Sequence, residues 1–520
     1  MAGKVPPPAK DAGAVRELIA EGRTEDAEAL AREILDQNPE DPDTLHGLGI
    51  ALHAGGRNEE AQAVLADALR HSPGNGQLHY DLGVIEAARG NLEDAIQAWK
   101  AAAGIDPAIS GALLNLALAR VKTGKWTEAE EAAREGAERF PGEAAFPRLL
   151  GHALVGQGRN RDAADEYRRA LELQPEDAGT WYALGLVARD AGTFDEAKRC
   201  FRKTTELAPG MADGHYELAQ ILLGEGDFKE GFREYEWRLK RPQAPDRDFG
   251  VPRWDGSEPE GLKLLLYGEQ GHGDTIHFLR YVPEIASRGA KITLAVHESL
   301  VPALEGAEGV DRLVPLFDEP DDIDAQAPLM SLAHILGTGP ATIPAAVPYI
   351  PGPRRPVPAA VKDADGFSVG LVWSGNTAFP ANDVRSCGFQ AYGPLLETEN
   401  AAFYSLQMGE PAVELGNHPQ APVHDLAPGI SDYADTAAII AALDLVITTD
   451  TSVAHLAGAM GRPVWILLSA TPDWRWFRDR PESPWYPTAR LFRQHTLGDW
   501  SGPMAEAKKA LEGAIKEKSG

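Results

Sequence analysis

The sequence predicts an α plus α/β chain in which a superhelix of helix pairs is followed by a pair of doubly wound α/β domains. Three observations carry that expectation. Prolines recur every 34 residues through the first half, at Pro39, Pro73, Pro107, Pro141, Pro175 and Pro209, and a fixed period of that length marks a repeat architecture. Beyond residue 261 the pattern changes to short apolar runs bounded by turn residues and alternating with helical stretches, as buried parallel strands in βα units do. Two breaks rich in Pro, Gly and charge, 241–261 and 351–365, separate the pieces.

Within the first half, glycines keep the same step at Gly22, Gly56, Gly90, Gly124, Gly158, Gly192 and Gly226, and alanines at Ala27, Ala61, Ala95, Ala129, Ala163 and Ala197. Each unit therefore reads as two antiparallel helices joined at the glycine. The alanine sits where the helices approach too closely for a larger side chain, and the proline stops the second helix. Leu48-Gly49, Leu82-Gly83, Leu150-Gly151 and Leu184-Gly185 mark the first helix, and Trp99, Tyr167 and Phe201 mark the second. Unit four departs with Ala117 for glycine, and the seventh has Ala219 and Gly231. These residues resemble the tetratricopeptide repeat (TPR) over about residues 8–240, which implies a groove that binds a protein segment. A spacer or self-association module is the alternative.

In the second half the expected strands are Leu262–Tyr267, Ile292–Val296, Arg312–Leu316, Val369–Trp373, Phe403–Leu406, Leu443–Thr448 and Pro463–Leu468. They fall into a piece at 262–350 and a piece at 366–500. A final helical stretch within 501–520 carries Met504, Ala507, Ala510, Leu511 and Ile515 at helical spacing and is expected to dock across the domains.

Composition narrows the function. The 520 residues are 43% hydrophobic and 25% charged, ordinary for a globular chain of about three domains. Seventy-eight acidic against 50 basic side chains give a net charge of −28, which disfavours nucleic acid and anionic membrane as partners. Cys200 and Cys387 are the two cysteines and lie in no zinc-like spacing, so a reducing compartment is expected. The first residues, running into Pro6-Pro7-Pro8, lack a signal-peptide core, and no window approaches a membrane span. A cytoplasmic protein is the expectation.

Two turns could hold chemistry. The first strand of the second half runs into Gly268-Glu269-Gln270-Gly271-His272-Gly273-Asp274-Thr275-Ile276, a glycine-rich turn opening a helix. Asp274 could simply cap that helix. The run lacks both GxGxxG spacing and the GK[ST] of a phosphate loop. The second turn, Thr448-Thr449-Asp450-Thr451-Ser452-Val453-Ala454-His455, joins a buried strand to a helix whose first turn offers free amides and a positive dipole end to a phosphate. An N-cap cluster without a ligand is the alternative there.

Gly273-Asp274-Thr275-Ile276-His277-Phe278-Leu279 and the Asp450–His455 run resemble the acceptor-side and donor-side motifs of heptosyltransferase-like glycosyltransferases of the GT-B fold, and the whole chain resembles bacterial TPR-fused glycosyltransferases. The resemblance implies a metal-independent, inverting transfer from a nucleotide sugar, with Asp274 as the base toward the acceptor hydroxyl. It implies a donor site from Trp373, Ser374, Asn376, Arg385, Asp450, Thr451, Ser452 and His455, with Arg385 stabilising the leaving phosphate. Gln270, His272 and His277 are acceptor-side candidates, the histidines also alternatives for the base or ordinary structural groups. No metal or other cofactor is expected, and the acidic run Asp318–Asp324 reads as a solvated loop. The tract Asp473–Arg480 with Pro484-Trp485-Tyr486-Pro487 suits either stacking of a nucleobase or packing of the closing helix.

The fused solenoid favours a protein acceptor carrying Ser or Thr, with flagellin a candidate through the resemblance. A TPR scaffold that does not catalyse, and a lipopolysaccharide-type transferase acting on saccharides, are the alternatives.

Overall fold

The computed structural model describes residues 11–519 except 246, 319, 363–365 and 380. Residues 8–10 of the expected solenoid, 363–365 of the second break, Glu319 of the acidic run and Gly520 lie outside the described residues. The chain divides at Ala191/Gly192 into two compact units.

The first unit is helical throughout, from Ala12–Ala20 to Ala178–Asp190. All seven ladder glycines, Gly22 through Gly226, hold positive φ between 69° and 87°, the left-handed turn that joins the helices of each pair. The ladder alanines from Ala27 to Ala197 are fully buried. First-helix glycines admit a large partner: a Cβ on Gly83 would lie 2.5 Å from the Trp99 indole nitrogen, and one on Gly151 would lie 2.4 Å from the Tyr167 ring. Helices ending at His71, Ile105, Arg139 and Leu173 each meet the ladder proline two residues on.

The second unit starts with helices Phe194–Leu207, Ala212–Glu225 and Phe228–Tyr235, which continue the repeat but pack with the α/β region. Phe228, Phe232 and Tyr235 belong to one apolar core with Ile276, Phe278 and Trp474. Two all-parallel sheets follow. The first contains β1 (Lys263–Tyr267), β2 (Lys291–Val296), β3 (Arg312–Pro315) and β4 (Ala325–Pro328) in the order β3-β2-β1-β4. The second contains β5 (Phe367–Val372), β6 (Ala401–Ser405), β7 (Val423–Asp425), β8 (Leu445–Thr449), β9 (Val464–Leu468) and β10 (Ala489–Arg493), ordered β10-β9-β8-β5-β6-β7. The order reverses between β1 and β4 and between β5 and β8, and ligands of open parallel sheets bind beyond the carboxyl ends of strands at such reversals.

The connection read at 241–261 touches the sheet edge near its end: Trp254 is buried and donates its amide to Gln326 O of β4 at 2.8 Å. One connection differs from expectation. The final helix, Ser501–Ser519, does not bridge domains. Met504, Ala507 and Leu511 pack on Phe367, Leu371, Tyr392 and Phe492, all of the second sheet and its own connections.

Candidate functional site

The two turns singled out in the sequence meet. The helix His272–Phe278 starts after Gly271, and Asp274, its third residue, accepts the Gly271 amide at 3.0 Å. The helix-start role is therefore filled, but by one oxygen only. The other accepts from Arg475 Nη2 at 2.6 Å. Facing it, the turn after β8 runs through Asp450 to Thr451, which adopts extended backbone and immediately precedes the helix Ser452–Ala459. The Thr451 hydroxyl bonds Thr448 Oγ1 at 2.8 Å and caps nothing, so the first amides of this helix are uncapped by any side chain. Tyr433 donates its hydroxyl to Ser452 Oγ at 2.7 Å. The two helices touch where a side chain is missing: a Cβ on Gly273 would stand 2.8 Å from His455 Cδ2 and 3.4 Å from the Ser452 Cα.

Charge concentrates at this junction. Arg475 is nearly fully buried, bonds Asp473 Oδ1 at 2.9 Å as well as Asp274, and lies over the Trp474 ring at 4.5 Å. Burial pushes the Asp274 carboxyl above its ordinary range, with Arg475 opposing and Asp473 reinforcing. Asp450 is pushed up to about 6, first by burial and then by repulsion from Asp473, against attraction from Arg385. Arg385 has no carboxylate within 4.0 Å and its buried Nε has no hydrogen-bond partner among the described residues. Its guanidinium lies 4.5 Å over the Phe379 ring, and Gly375 makes room for it, since a Cβ there would fall 2.6 Å from Nη2. An unsatisfied guanidinium beside a helix start with free amides is a setting in which an anionic group gains strong, charge-assisted hydrogen bonds.

The remaining expected residues divide by exposure. His455 is buried, shares its Nδ1 with Tyr486 Oη at 2.9 Å, stacks on Trp476 and points Nε2 toward Asp450 Oδ1 at 3.9 Å. His277 is fully buried and its Nδ1 faces the same hydroxyl at 3.2 Å, leaving it no surface for an acceptor. Burial holds both imidazoles well below their ordinary value and hence neutral. His272 stacks on Tyr433, bonds Ser299 Oγ at 3.1 Å, and burial pushes its pKa down to about 4. Gln270 is exposed. In the turn after β5, Trp373 is fully buried and donates its indole N–H to Pro411 O, whereas the Trp373 and Ser374 amides both donate to Gln407 Oε1 at 2.9 Å. Ser374 Oγ accepts from Asn382 Nδ2, and exposed Asn376 holds its own turn by accepting the Ala378 amide.

Comparison with known proteins bears on both halves. Residues 18–82, 56–108, 114–178, 148–197 and 182–246 match models of the tetratricopeptide repeat. Residues 414–499 match the model of glycosyltransferase family 9 (heptosyltransferase). Protein FlbA of Caulobacter vibrioides is 29% identical over 316 residues, covering 54% of this chain and 52% of that protein, so the chain spans about half the length of this curated relative. Among solved structures, the C-terminal part of a TPR repeat-containing protein from Cytophaga hutchinsonii is 14% identical, with a TM-score of 0.39, over 46% of this chain and 97% of that one. MamA is 25% identical, with a TM-score of 0.29, over 31% and 93%. The chain thus joins TPR repeats to an α/β region that carries a segment similar to glycosyltransferase family 9. That segment contains Asp450, Thr451, Ser452, His455 and Arg475. Asp274 and Arg385 lie outside it.

The Trp-Arg tract follows neither of its two expected uses. Trp474, Trp476, Trp485 and Tyr486 are buried, so no indole face is open to a nucleobase, and their partners are not on the final helix. Trp474 packs edge-on against Phe232 and Tyr235, and Trp485 stacks on Phe228 at 5.6 Å. The tract fastens the last repeat to both sheets. Arg475 and Asp473, its charged members, belong to the site, and sequence reasoning missed them; an arginine between two tryptophans in an acidic chain was the available signal. Glu269 was missed as well. It is buried, burial raises its pKa, and it pairs with Arg238 Nη2 of the last repeat at 2.6 Å.

Proposed function

We propose that the protein transfers a sugar from a nucleotide-sugar donor to a Ser or Thr hydroxyl of a protein acceptor held by the TPR array, flagellin being one candidate. The observation that carries this is the meeting of the His272–Phe278 and Ser452–Ala459 helix starts, with Asp274 on one and the unsatisfied Arg385 beside the other. Two parallel sheets contributing facing turns support a GT-B pair, and a long repeat array suits a polypeptide acceptor better than a small saccharide.

In this reading Asp274 accepts the hydroxyl proton as the oxygen bonds the anomeric carbon and the carbon–phosphate-oxygen bond breaks. The single displacement inverts that carbon. The departing phosphate takes hydrogen bonds from Arg385 and from the Ser452 and Val453 amides, the work a divalent cation does in other transferases, so no metal is required. Asp450 and His455 shape the donor pocket. Arg475 holds Asp274 in place and moderates its basicity. Trp373, Ser374 and Asn376 support the donor turn, while His272 and Gln270 border the acceptor side.

The test is Asp274→Asn, with sugar transfer and nucleotide binding measured separately. Transfer should fall at least a hundredfold while nucleotide affinity stays within twofold. Full transfer in the variant would remove Asp274 as base.

A further inference from the structure

A cavity lies outside the proposed transfer site. It occupies about 180 Å³ at the carboxyl end of β1, room for roughly six waters at about 30 Å³ each. Its lining includes Lys240, Arg241, Arg247, Arg253 and Glu269. Glu269 pairs with Arg238, which also pairs with Glu236, each at 2.6 Å, and Arg241 pairs with Asp213 at 2.6 Å. Lys240, Arg247 and Arg253 have no carboxylate within 4.0 Å among the described residues. Three uncompensated cations converge on one hollow in a chain of net charge −28.

Two of the three are held in place. Arg247 donates to Gly268 O at 2.9 Å and lies over the Phe317 ring at 5.1 Å; Lys240 sits 3.8 Å from the centre of the Trp237 ring. Arg253 is exposed at the rim. Guanidinium and ammonium groups fixed by rings and backbone lose little freedom on meeting an anion. The cavity also has a definite address. Its wall runs from the end of the last repeat helix, through Lys240, to Tyr267 and Glu269, which lead into the turn that carries Asp274.

We propose that this cavity binds acidic side chains of the acceptor polypeptide, anchoring the segment that enters the Asp274 turn. Only the identity of the carrier rests on the protein-acceptor reading above; the preference for carboxylates rests on the lining. An acidic anchor adds a charge requirement to acceptor choice and makes capture sensitive to salt.

The test is calorimetric titration of the full chain with acetylated hexaglutamate amide, hexaglutamine and hexalysine, and with inorganic phosphate. Hexaglutamate alone among the peptides should bind. Its affinity should fall at least tenfold in Arg253→Glu and in Lys240→Glu, and severalfold between 50 and 300 mM salt. Equal affinity in wild type and variants, or no binding to wild type, would overturn the proposal. So would stronger binding of phosphate than peptide with the same dependence on Arg253. Nucleotide-induced stabilisation, read in parallel on the same variants, should not change. Its absence from every variant and the wild type would count against the transferase reading while leaving the acidic anchor standing.

Discussion

Asp450→Asn should make the protein more stable at neutral pH, and less so as the pH falls. Asp450 is half-buried and feels the charge of Asp473, and desolvation with that repulsion pushes its carboxyl from 3.8 to about 6. The folded chain therefore holds a proton that the unfolded chain has already released between about pH 4 and 6, so stability declines as pH rises through that window. About two units at 1.36 kcal/mol each give a cost of about 3 kcal/mol once the carboxylate is ionised in both states. The asparagine avoids that cost. Its advantage over wild type should grow from roughly half a kcal/mol at pH 4 to about 3 kcal/mol at pH 7.5. Urea unfolding across this range, followed by the fluorescence of Trp465, Trp474 and Trp476, measures it. A difference that does not vary with pH, or a variant less stable than wild type at pH 7.5, would refute the account of Asp450 as a desolvated carboxyl repelled by Asp473.

Other perturbations test the same junction. Gly273→Ala puts a methyl 2.8 Å from the His455 ring, which is pinned between Tyr486 and Trp476, so it should cost about 1–3 kcal/mol in thermal unfolding and impair transfer; a neutral substitution would mean the two helix starts are not in contact. Arg475→Ala leaves Asp274 and Asp473 without their partner and should destabilise by about 3–5 kcal/mol, with the acidic limb of the rate profile moving to higher pH as Asp274 loses its opposing charge. Glu269→Gln weakens the buried pair with Arg238, which keeps Glu236 and Ser331 as partners, and should lower the unfolding free energy by about 1.5–3 kcal/mol; an unchanged melting temperature would count against that pair.

The repeat half could be read closely because its constraints recur. A positive-φ glycine, a buried alanine and a terminating proline are demanded every 34 residues, and each demand leaves a residue in the sequence. The α/β half gave up its central strands, which are continuous apolar runs, and the edge strand β3, but not β4, β7 or β10. Ala325–Pro328 is four residues containing a proline, Val423–Asp425 is three, and Ala489–Arg493 alternates with arginines at an edge. Edge and very short strands need little apolar character, so their sequences resemble loops.

The site divided along similar lines. The Asp274 and Asp450–His455 turns were visible because a strand, a tight turn and a helix start constrain neighbouring residues in one short run. Arg475 is 201 residues from Asp274, and nothing local encodes that meeting. The repeat period also placed the end of the solenoid near 240. The repeat model matches as far as residue 246, yet the helices from Phe194 onward share a compact unit with the α/β region, where Phe228, Phe232 and Arg238 are buried. A deletion made at 240 would therefore strip the core and remove the partner of Glu269.

The measurement that bears most directly on donor-dependent transfer is thermal unfolding of the full chain against uridine, guanosine, adenosine and cytidine nucleotides and their sugar conjugates, with and without magnesium. At about one hundred times its dissociation constant a ligand stabilises its site by about 2.7 kcal/mol, enough to raise a midpoint by a few degrees. The expected result is stabilisation by one nucleotide family without magnesium, weakened by about 1.5–3 kcal/mol of binding energy in Arg385→Ala. Wild-type protein that responds to no nucleotide, or an Arg385→Ala variant that responds as strongly as wild type, would contradict the donor site.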